Sequence, residues 1–172
     1  LDQRSRLTIS CRDCDYIPKV KNAGKALKYG GIKVQIMHNG MKVKAGGYYG
    51  EWMQKIVEGL KGHHEPQEEK VFYEVIKRIK NKNPTMIELG AFWGYYSIWF
   101  SMSKKNATNY CCEPDPGNLD IGRLNASLNS SNQFYFFPTA AGSDSRKKVI
   151  LPLDSEAGKL MEVNILSVDD LE

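Results

Sequence analysis

Two acidic residues of this sequence stand where a ligand-binding carboxylate would be useful. Glu88 lies near the end of the apolar run at residues 85–89 and directly precedes the glycine turn of Gly90 and Gly94. Glu113 follows a second apolar run at residues 108–112. A strand that leads through a glycine turn into a helix is the arrangement that binds nucleotide-like ligands in open α/β sheets. The sequence therefore predicts a ligand site at the carboxyl ends of two neighbouring strands.

The spacing in this turn favours one class of ligand. The turn reads Glu-x-Gly-x-x-x-Gly, which differs from the Gly-x-Gly-x-x-Gly of dinucleotide folds and lacks the Gly-Lys-Ser/Thr of a P-loop. An acid here would repel a pyrophosphate but suits the ammonium and sulfonium of S-adenosylmethionine. We expect Glu88 to serve that cationic end, the amides after Gly90 to face the cofactor carboxylate, and Glu113 to accept hydrogen bonds from the ribose. The structural alternatives are a simple βα turn and, for Glu113, a helix cap or a solvated acid.

The elements around the turn predict half of a doubly wound fold. Strands are expected at residues 85–89, 108–112 and 133–137, with helices at about 94–103 and 117–129 between them. This β-α-β-α-β order gives a parallel sheet with spatial order 3-2-1. Strands at 148–153 and 161–168 should form a hairpin, and a helix should begin at 169–172. No further strand follows to pair beside the first, so we expect a truncated domain with an unpaired edge strand.

The residues before the sheet divide into two further segments. Residues 1–47 form a basic segment in which 1–30 are a loose lead-in and the turn His38-Asn39-Gly40 joins a β-hairpin. Residues 48–84 form a helical lead-in, with helices at about 48–60 and 66–80. The apolar positions predicted on one face of the second helix are Val71, Phe72, Val75, Ile76 and Ile79. Residues 85–172 then form the partial Rossmann-like domain.

Several motifs, in order, resemble the FkbM family of S-adenosylmethionine-dependent methyltransferases. The matching residues are 87–91, 94–97, 113–115, Asn125, Asn129, 137–142 and 167–171. The resemblance covers about residues 59–172 and implies a class I methyltransferase that modifies hydroxyl oxygens of sugars or other small molecules. It implies contacts to the methionine end from Glu88, Gly90, Ala91 and Gly94, to the ribose from Glu113, beside the adenosine from Pro114 and Asp115, and near the adenine from Ala140. Phe92 and Trp93 depart from the Asn and aliphatic residue that the family usually carries there.

Histidines and cysteines supply the remaining candidates for chemistry. The run His63-His64-Glu65 could close over the cofactor or approach the substrate. Alternatively it is a polar connection in which Glu65 caps a helix. We name no catalytic base. Cys11 and Cys14 have zinc-ligand spacing, but no second CxxC completes a four-ligand site. The adjacent Cys111 and Cys112 should point to opposite faces of a strand. We therefore expect reduced thiols and no metal.

Charge and hydropathy limit the classes of partner. Residues 1–50 hold ten lysines and arginines against three acids, or +7, so residues 51–172 carry 14 minus 17, or −3. This basic segment suits an acidic or nucleic-acid partner, or a solvated surface, and we favour the latter. No apolar run spans a bilayer and the start does not resemble a signal peptide, so we expect a cytoplasmic protein. The functional alternatives are a nicotinamide-dependent oxidoreductase and a non-catalytic module that binds a partner through residues 1–50.

Overall fold

The computed structural model describes residues 2–129 and 132–171. The chain divides into two compact units, residues 1–81 and 82–172. The described residues form five α-helices and three small sheets, one of which is parallel. The predicted α/β class is therefore confirmed. The predicted hairpin segment and nearly all of the helical lead-in lie in the first unit, and the predicted partial domain lies in the second.

The first unit combines three helices with a three-stranded antiparallel sheet. Its elements are α1 (Gln3–Ile9), β1 (Ala26–Tyr29), β2 (Ile32–Ile36), β3 (Lys42–Lys44), α2 (Gly50–Gly59) and α3 (Pro66–Arg78). The strand order is β1-β2-β3. The predicted hairpin is confirmed as β2 and β3, and both predicted helices are confirmed within two residues at each end.

The prediction of a loose lead-in at residues 1–30 is wrong. The α1 helix begins after Asp2, whose carboxylate accepts a hydrogen bond from the backbone N–H of Ser5 at 2.7 Å. The β1 strand pairs antiparallel with β2 across Gly30 and Gly31, both with positive φ. A side-chain cap and a two-glycine turn therefore order a segment that carries little apolar periodicity.

The predicted buried face of α3 also needs correction. Val71 is 63% exposed and Val75 is 48% exposed, whereas Ile76 is buried and the charged Glu69 is fully buried. The α3 helix follows Gly62, whose φ is +91° and whose Cβ position would overlap the backbone of His38. Only glycine fits there, and the His38 N–H donates to the Gly62 carbonyl at 3.0 Å. This close approach brings the turn before α3 onto the end of the hairpin.

The second unit contains the parallel sheet. Its elements are β4 (Thr85–Leu89), α4 (Tyr95–Ser103), β5 (Thr108–Cys112), α5 (Pro116–Ser127), β6 (Gln133–Phe137), β7 (Ala140–Ala141), β8 (Lys148–Pro152), β9 (Leu160–Leu166) and a 3₁₀ turn at Val168–Leu171. The parallel order β4-β5-β6 confirms the predicted 3-2-1 arrangement. The β8–β9 hairpin is confirmed, and the pairing of β7 with β9 was not predicted. The 3₁₀ turn lies where a helix was expected to begin; Glu172 lies outside the described residues.

The two faces of the parallel sheet differ in coverage. The helices α4 and α5 pack on the face that carries Glu88. On the opposite face Ile87, Leu89 and Tyr135 are 39%, 51% and 44% exposed. Among the described residues β4 pairs with β5 alone, so its other edge carries no strand, as the sequence predicts. The carboxyl ends of the three strands share one edge, and the turns after β4 and β5 build the candidate site there.

Candidate functional site

The parallel register brings the two predicted carboxylates to one edge of the sheet. Glu88 on β4 stands opposite Cys111 on β5, and Glu113 follows directly after β5. The negative charge of Glu113 is close enough to contribute to a raised pKa at Glu88. Glu88 and Glu113 therefore lie near each other in the second unit, as the sequence predicts.

Glu88 is the partly exposed member of this pair. Its carboxylate accepts hydrogen bonds from the backbone N–H of Ser97, at 3.0 Å, and from the Ser97 hydroxyl. Desolvation raises the pKa of Glu88 to about 7, against the opposite effect of the bonds from Ser97 and Tyr96. Near neutral pH this carboxyl group is thus divided between its protonated form and a charged form that a cation would stabilise.

The glycine turn joins β4 to α4 through two positions with different surroundings. Gly90 has a φ of +78°, and a Cβ there would meet no atom within 4 Å, so the space beside it is open. Gly94 has a φ of +75°, and a Cβ there would lie 3.6 Å from the Cα of Gly122 on α5. The same Cβ would lie 3.4 Å from Cδ1 of Ile98, so Gly94 packs against both α4 and α5. Gly90 alone leaves room for a ligand to approach the backbone.

The amides of this turn are hydrogen-bonded inside the unit, which differs from the sequence-based expectation. The N–H groups of Gly90 and Ala91 both donate to the Cys112 carbonyl at 2.9 Å. The next N–H, from Phe92, donates to the Glu113 carboxylate at 2.9 Å. Because β4 and β5 are parallel, the end of β5 lies beside this turn. The Cys112 carbonyl there accepts the N–H groups that we expected to face the cofactor carboxylate.

Glu113 is buried, with only 4% of its surface exposed. One carboxylate oxygen accepts the Phe92 N–H and the other accepts the Asp115 N–H, each at 2.9 Å. Burial raises the pKa of Glu113 above its ordinary value, while these two backbone bonds lower it. The Asn118 side chain also lies within reach of this carboxylate, so Glu113 braces the two turns and retains acceptor capacity for one ribose hydroxyl.

Asp115 caps α5 and ties a later loop to it. Its carboxylate accepts the N–H groups of Gly117 and Asn118, and also the N–H and hydroxyl of Ser155 at 2.8 and 2.5 Å. Burial would raise the pKa of Asp115, but the bonds from Ser155 and the helix amides hold it below the ordinary value. The predicted adenosine neighbour thus has four hydrogen bonds of its own, while Pro114 beside it is partly exposed and Ala140 begins β7.

Replacing Asp115 by alanine should lower the free energy of unfolding by about 2 kcal/mol, the upper range for loss of a helix cap, because Ser155 also loses its acceptor. Asp115→Asn keeps one acceptor oxygen and should lose less. Asp120→Ala, on an exposed position of the same helix, is the matched control. Urea denaturation followed by circular dichroism measures all three, and equal stability of Asp115→Ala and Asp120→Ala would contradict the capping role.

A second cluster of ionisable groups lies in the first unit around Glu69. Its carboxylate accepts the backbone N–H groups of His64 and Glu65 at 2.7 and 3.1 Å, and it bonds the Nδ1 atom of His63. The His38 ring stacks on His63 with 4.2 Å between ring centroids. The sequence singled out His63-His64-Glu65 but missed Glu69 and His38. Glu69 shares a helical face with Phe72 and Ile76, and an acid on an apolar face is the signal that identifies it.

Partners outweigh burial in setting the pKa of Glu69 and of His64, whereas burial is the main cause for His38. Burial alone would raise the pKa of Glu69, but His63 and His64 hold it well below the ordinary value. Burial alone would lower the pKa of His64, yet its bonds to Glu65 and Glu69 raise it to about 9. Burial and the neighbouring His63 lower the pKa of His38 to about 3. Glu65 occupies the N-cap position without a side-chain cap bond, so the expected cap is supplied by Glu69 instead.

The four cysteines are free thiols. Cys111 and Cys112 are both buried on β5, and Cys14 donates to the Pro66 carbonyl at 3.0 Å. Burial raises the pKa of Cys14 and of Cys111 to about 12. These thiols are therefore protonated in the absence of a further ligand.

Comparison of the chain with family models, with curated proteins and with solved structures gave no match. Within residues 2–129 and 132–171, every helix is too short or too polar to cross a membrane. A function for this chain therefore has to be argued from the arrangement of its own residues.

Proposed function

We propose that the second unit carries the cofactor half-site of an S-adenosylmethionine-dependent methyltransferase of the FkbM type. The observation that supports it is the meeting of Glu88 and Glu113 at the carboxyl ends of adjacent parallel strands, next to a turn whose Gly90 has open space beside it. In sheets of this Rossmann-like kind, ligands bind outside the carboxyl ends of the strands. The position and the charge of these two acids support the binding of a sulfonium nucleoside at this edge.

Glu88, Gly90 and Glu113 each have a task that their surroundings support. Glu88 is partly exposed and can offset the ammonium or sulfonium charge, while the open space at Gly90 admits the methionine end. Glu113 retains acceptor capacity for one ribose hydroxyl. Ala91, Gly94, Pro114, Asp115 and Ala140 are proposed as cofactor contacts from the family resemblance alone; Ala91 is buried and Gly94 packs against Ile98 and Gly122. Among them Asp115 acts by holding the turn, since its carboxylate is occupied by four donors.

The proposed reaction transfers the methyl group of the bound sulfonium to a hydroxyl oxygen of a sugar or other small molecule. In-line displacement of this kind depends on positioning and on exclusion of water. The described residues supply positioning for the cofactor through the braced turns after β4 and β5. The acceptor hydroxyl loses its proton in the reaction, and we assign no residue of this chain as its base.

The test is cofactor binding by the full chain. S-adenosylhomocysteine titrated in a calorimeter should bind with a stoichiometry of one, and NAD should not compete for the site. Glu113→Ala removes charge-assisted hydrogen bonds of about 1.5–3 kcal/mol, so binding should weaken roughly 10- to 150-fold. Trp93, which is buried beside the turn and stacks on Tyr95, should report binding by a change in fluorescence.

Two controls separate loss of binding from loss of structure. Glu156→Ala removes an exposed acid of the same unit, which pairs with Lys159, and should leave binding unchanged. Circular dichroism should confirm that Glu113→Ala remains folded. Failure of the unaltered chain to bind the cofactor at millimolar concentration would contradict the proposal, and displacement of the cofactor by NAD would favour the oxidoreductase instead.

One observation favours a non-catalytic module as the second candidate. The N–H groups of Gly90, Ala91 and Phe92 all have acceptors inside the unit, which a purely structural turn would also require. In that case the sheet is a scaffold and the basic residues 1–50 engage a partner. Gly90→Val should then leave partner binding unchanged, whereas in the methyltransferase it should abolish cofactor binding because a side chain would fill the open approach.

A further inference from the structure

Three side chains that commonly bind metals converge in the first unit. Cys14, His63 and Glu69 are 4%, 1% and 0% exposed. Each offers one ligand atom, and the three atoms lie within 4.8 Å of one another. Around a tetrahedral zinc ion, with bonds of about 2.0–2.3 Å, neighbouring ligand atoms are roughly 3.3–3.8 Å apart. The Cys14 sulfur and the His63 ring nitrogen are therefore within about 1 Å of the separation of two zinc ligands.

The hydrogen bonding of His63 leaves one ring nitrogen available. Its Nδ1 atom is bonded to Glu69, whereas its Nε2 atom is buried and has no hydrogen-bond partner among the described residues. When a neutral ring donates Nδ1–H to a carboxylate, Nε2 carries the lone pair. Burial of an unsatisfied lone pair is unfavourable, and a metal ion would satisfy it. A histidine oriented by a carboxylate through its other nitrogen is a common arrangement at metal sites.

A cavity of about 300 Å³ gives access to this group. His63, Cys14, Cys11 and Lys19 are among the residues that line it. The Lys19 ammonium donates to the carbonyls of Cys14 and Ile17 at 2.6 and 2.9 Å, so its charge is directed to the main chain. His63 therefore lines the same cavity as Cys11 and Cys14. The spacing of the two cysteines in the sequence could not identify this further ligand.

We propose that Cys14 and His63, with Glu69 orienting the His63 ring, form a binding site for a divalent transition-metal ion of the zinc class. Cys11 lines the same cavity and is the candidate for a further ligand. A thiolate and an imidazole favour zinc over magnesium or calcium, which prefer oxygen ligands. On binding, the Cys14 S–H bond to the Pro66 carbonyl breaks, a sulfur–metal bond forms and the thiol proton leaves to solvent. Glu69 keeps its bond to Nδ1 of His63 and so orients the ring, while Nε2 binds the metal.

Zinc titration of the full chain in competition with a chromogenic chelator tests the proposal. One zinc ion per chain is expected, and Cys14→Ala should weaken binding at least about 100-fold. Cys111→Ala, which removes a buried thiol of the second unit, is the matched control and should bind as the unaltered chain does. Circular dichroism establishes that both variants are folded.

Cobalt provides a test that does not depend on the folding of a variant. The unaltered chain loaded with Co²⁺ should show a thiolate-to-metal charge-transfer band in the near ultraviolet, and the band should persist in Cys111→Ala. Absence of the band in the unaltered chain would overturn the proposal. So would zinc binding that survives Cys14→Ala undiminished, because the ion would then be bound elsewhere and Cys14 would be only a hydrogen-bonded core thiol.

Discussion

Replacing Glu69 by alanine is expected to lower the free energy of unfolding by about 3–5 kcal/mol, the range for removal of one partner of a buried ion pair. The carboxylate is fully buried and accepts the N–H groups of His64 and Glu65 while bonding the rings of His63 and His64. Without it, two buried imidazoles and two amides at the start of α3 lose their acceptor. The first unit would then lose the group that joins the turn before α3 to the helix.

Urea denaturation followed by circular dichroism measures this loss. Glu68→Ala is the matched control, because Glu68 is the adjacent exposed acid of the same helix and should change stability by less than about 0.5 kcal/mol. Glu69→Gln keeps one acceptor oxygen and should fall between the two. A loss below about 1 kcal/mol in Glu69→Ala would mean that the cluster repacks or fills with water.

The parallel sheet could be predicted from the sequence because its signals are local. Apolar runs of five residues separated by helical periodicity predict β4, β5 and β6 with their connecting helices, and the β-α-β connection then fixes a parallel neighbour order. The two acids at the strand ends follow from the same pattern. Their meeting at one edge needs only the register of parallel strands.

The hydrogen bonds at that edge could not be predicted in the same way. The Cys112 carbonyl takes the Gly90 and Ala91 amides, and Ser155 reaches back to Asp115 from 40 positions away in the sequence. Such partners depend on tertiary contacts that no local pattern encodes. Sequence patterns therefore predicted that Glu88 and Glu113 meet at this edge. The hydrogen bonds made by the donors and acceptors around them were visible only in the fold.

In the first unit a local pattern itself was misleading, because the apolar periodicity of α3 predicts the wrong buried face. Val71 and Val75 have the spacing of a buried stripe, yet the α3 helix buries Glu69 and Ile76 instead. A charged residue can replace an apolar one on a buried face when partners satisfy every oxygen, and those partners come from the preceding turn. A hydropathy pattern treats Glu69 as a surface residue. The face of α3 that it predicts to be buried is therefore turned away from the face that is buried in the structure.

Glu88→Gln should make the protein more stable at about pH 8 by up to about 3 kcal/mol and leave it nearly unchanged at about pH 4. The folded state raises the pKa of Glu88 from 4.5 to about 7. Between these two values the native protein binds more protons than the unfolded chain, so stability falls as the pH rises through this window. Glutamine is neutral throughout, and its carbonyl oxygen can still accept the bonds from Ser97.

Thermal or urea unfolding of both proteins across this pH range measures the effect, with Glu162→Gln as an exposed control on the same unit. A stability difference that does not change with pH would contradict the raised pKa.

Cofactor binding should show the converse behaviour, because a cationic ligand beside Glu88 stabilises the ionised carboxylate and lowers its pKa. Affinity for S-adenosylhomocysteine, which keeps the ammonium group, should therefore rise with pH through about 7. In Glu88→Gln this rise should disappear, so the residue that destabilises the unliganded fold would be the one that draws the cationic end of the cofactor to the turn.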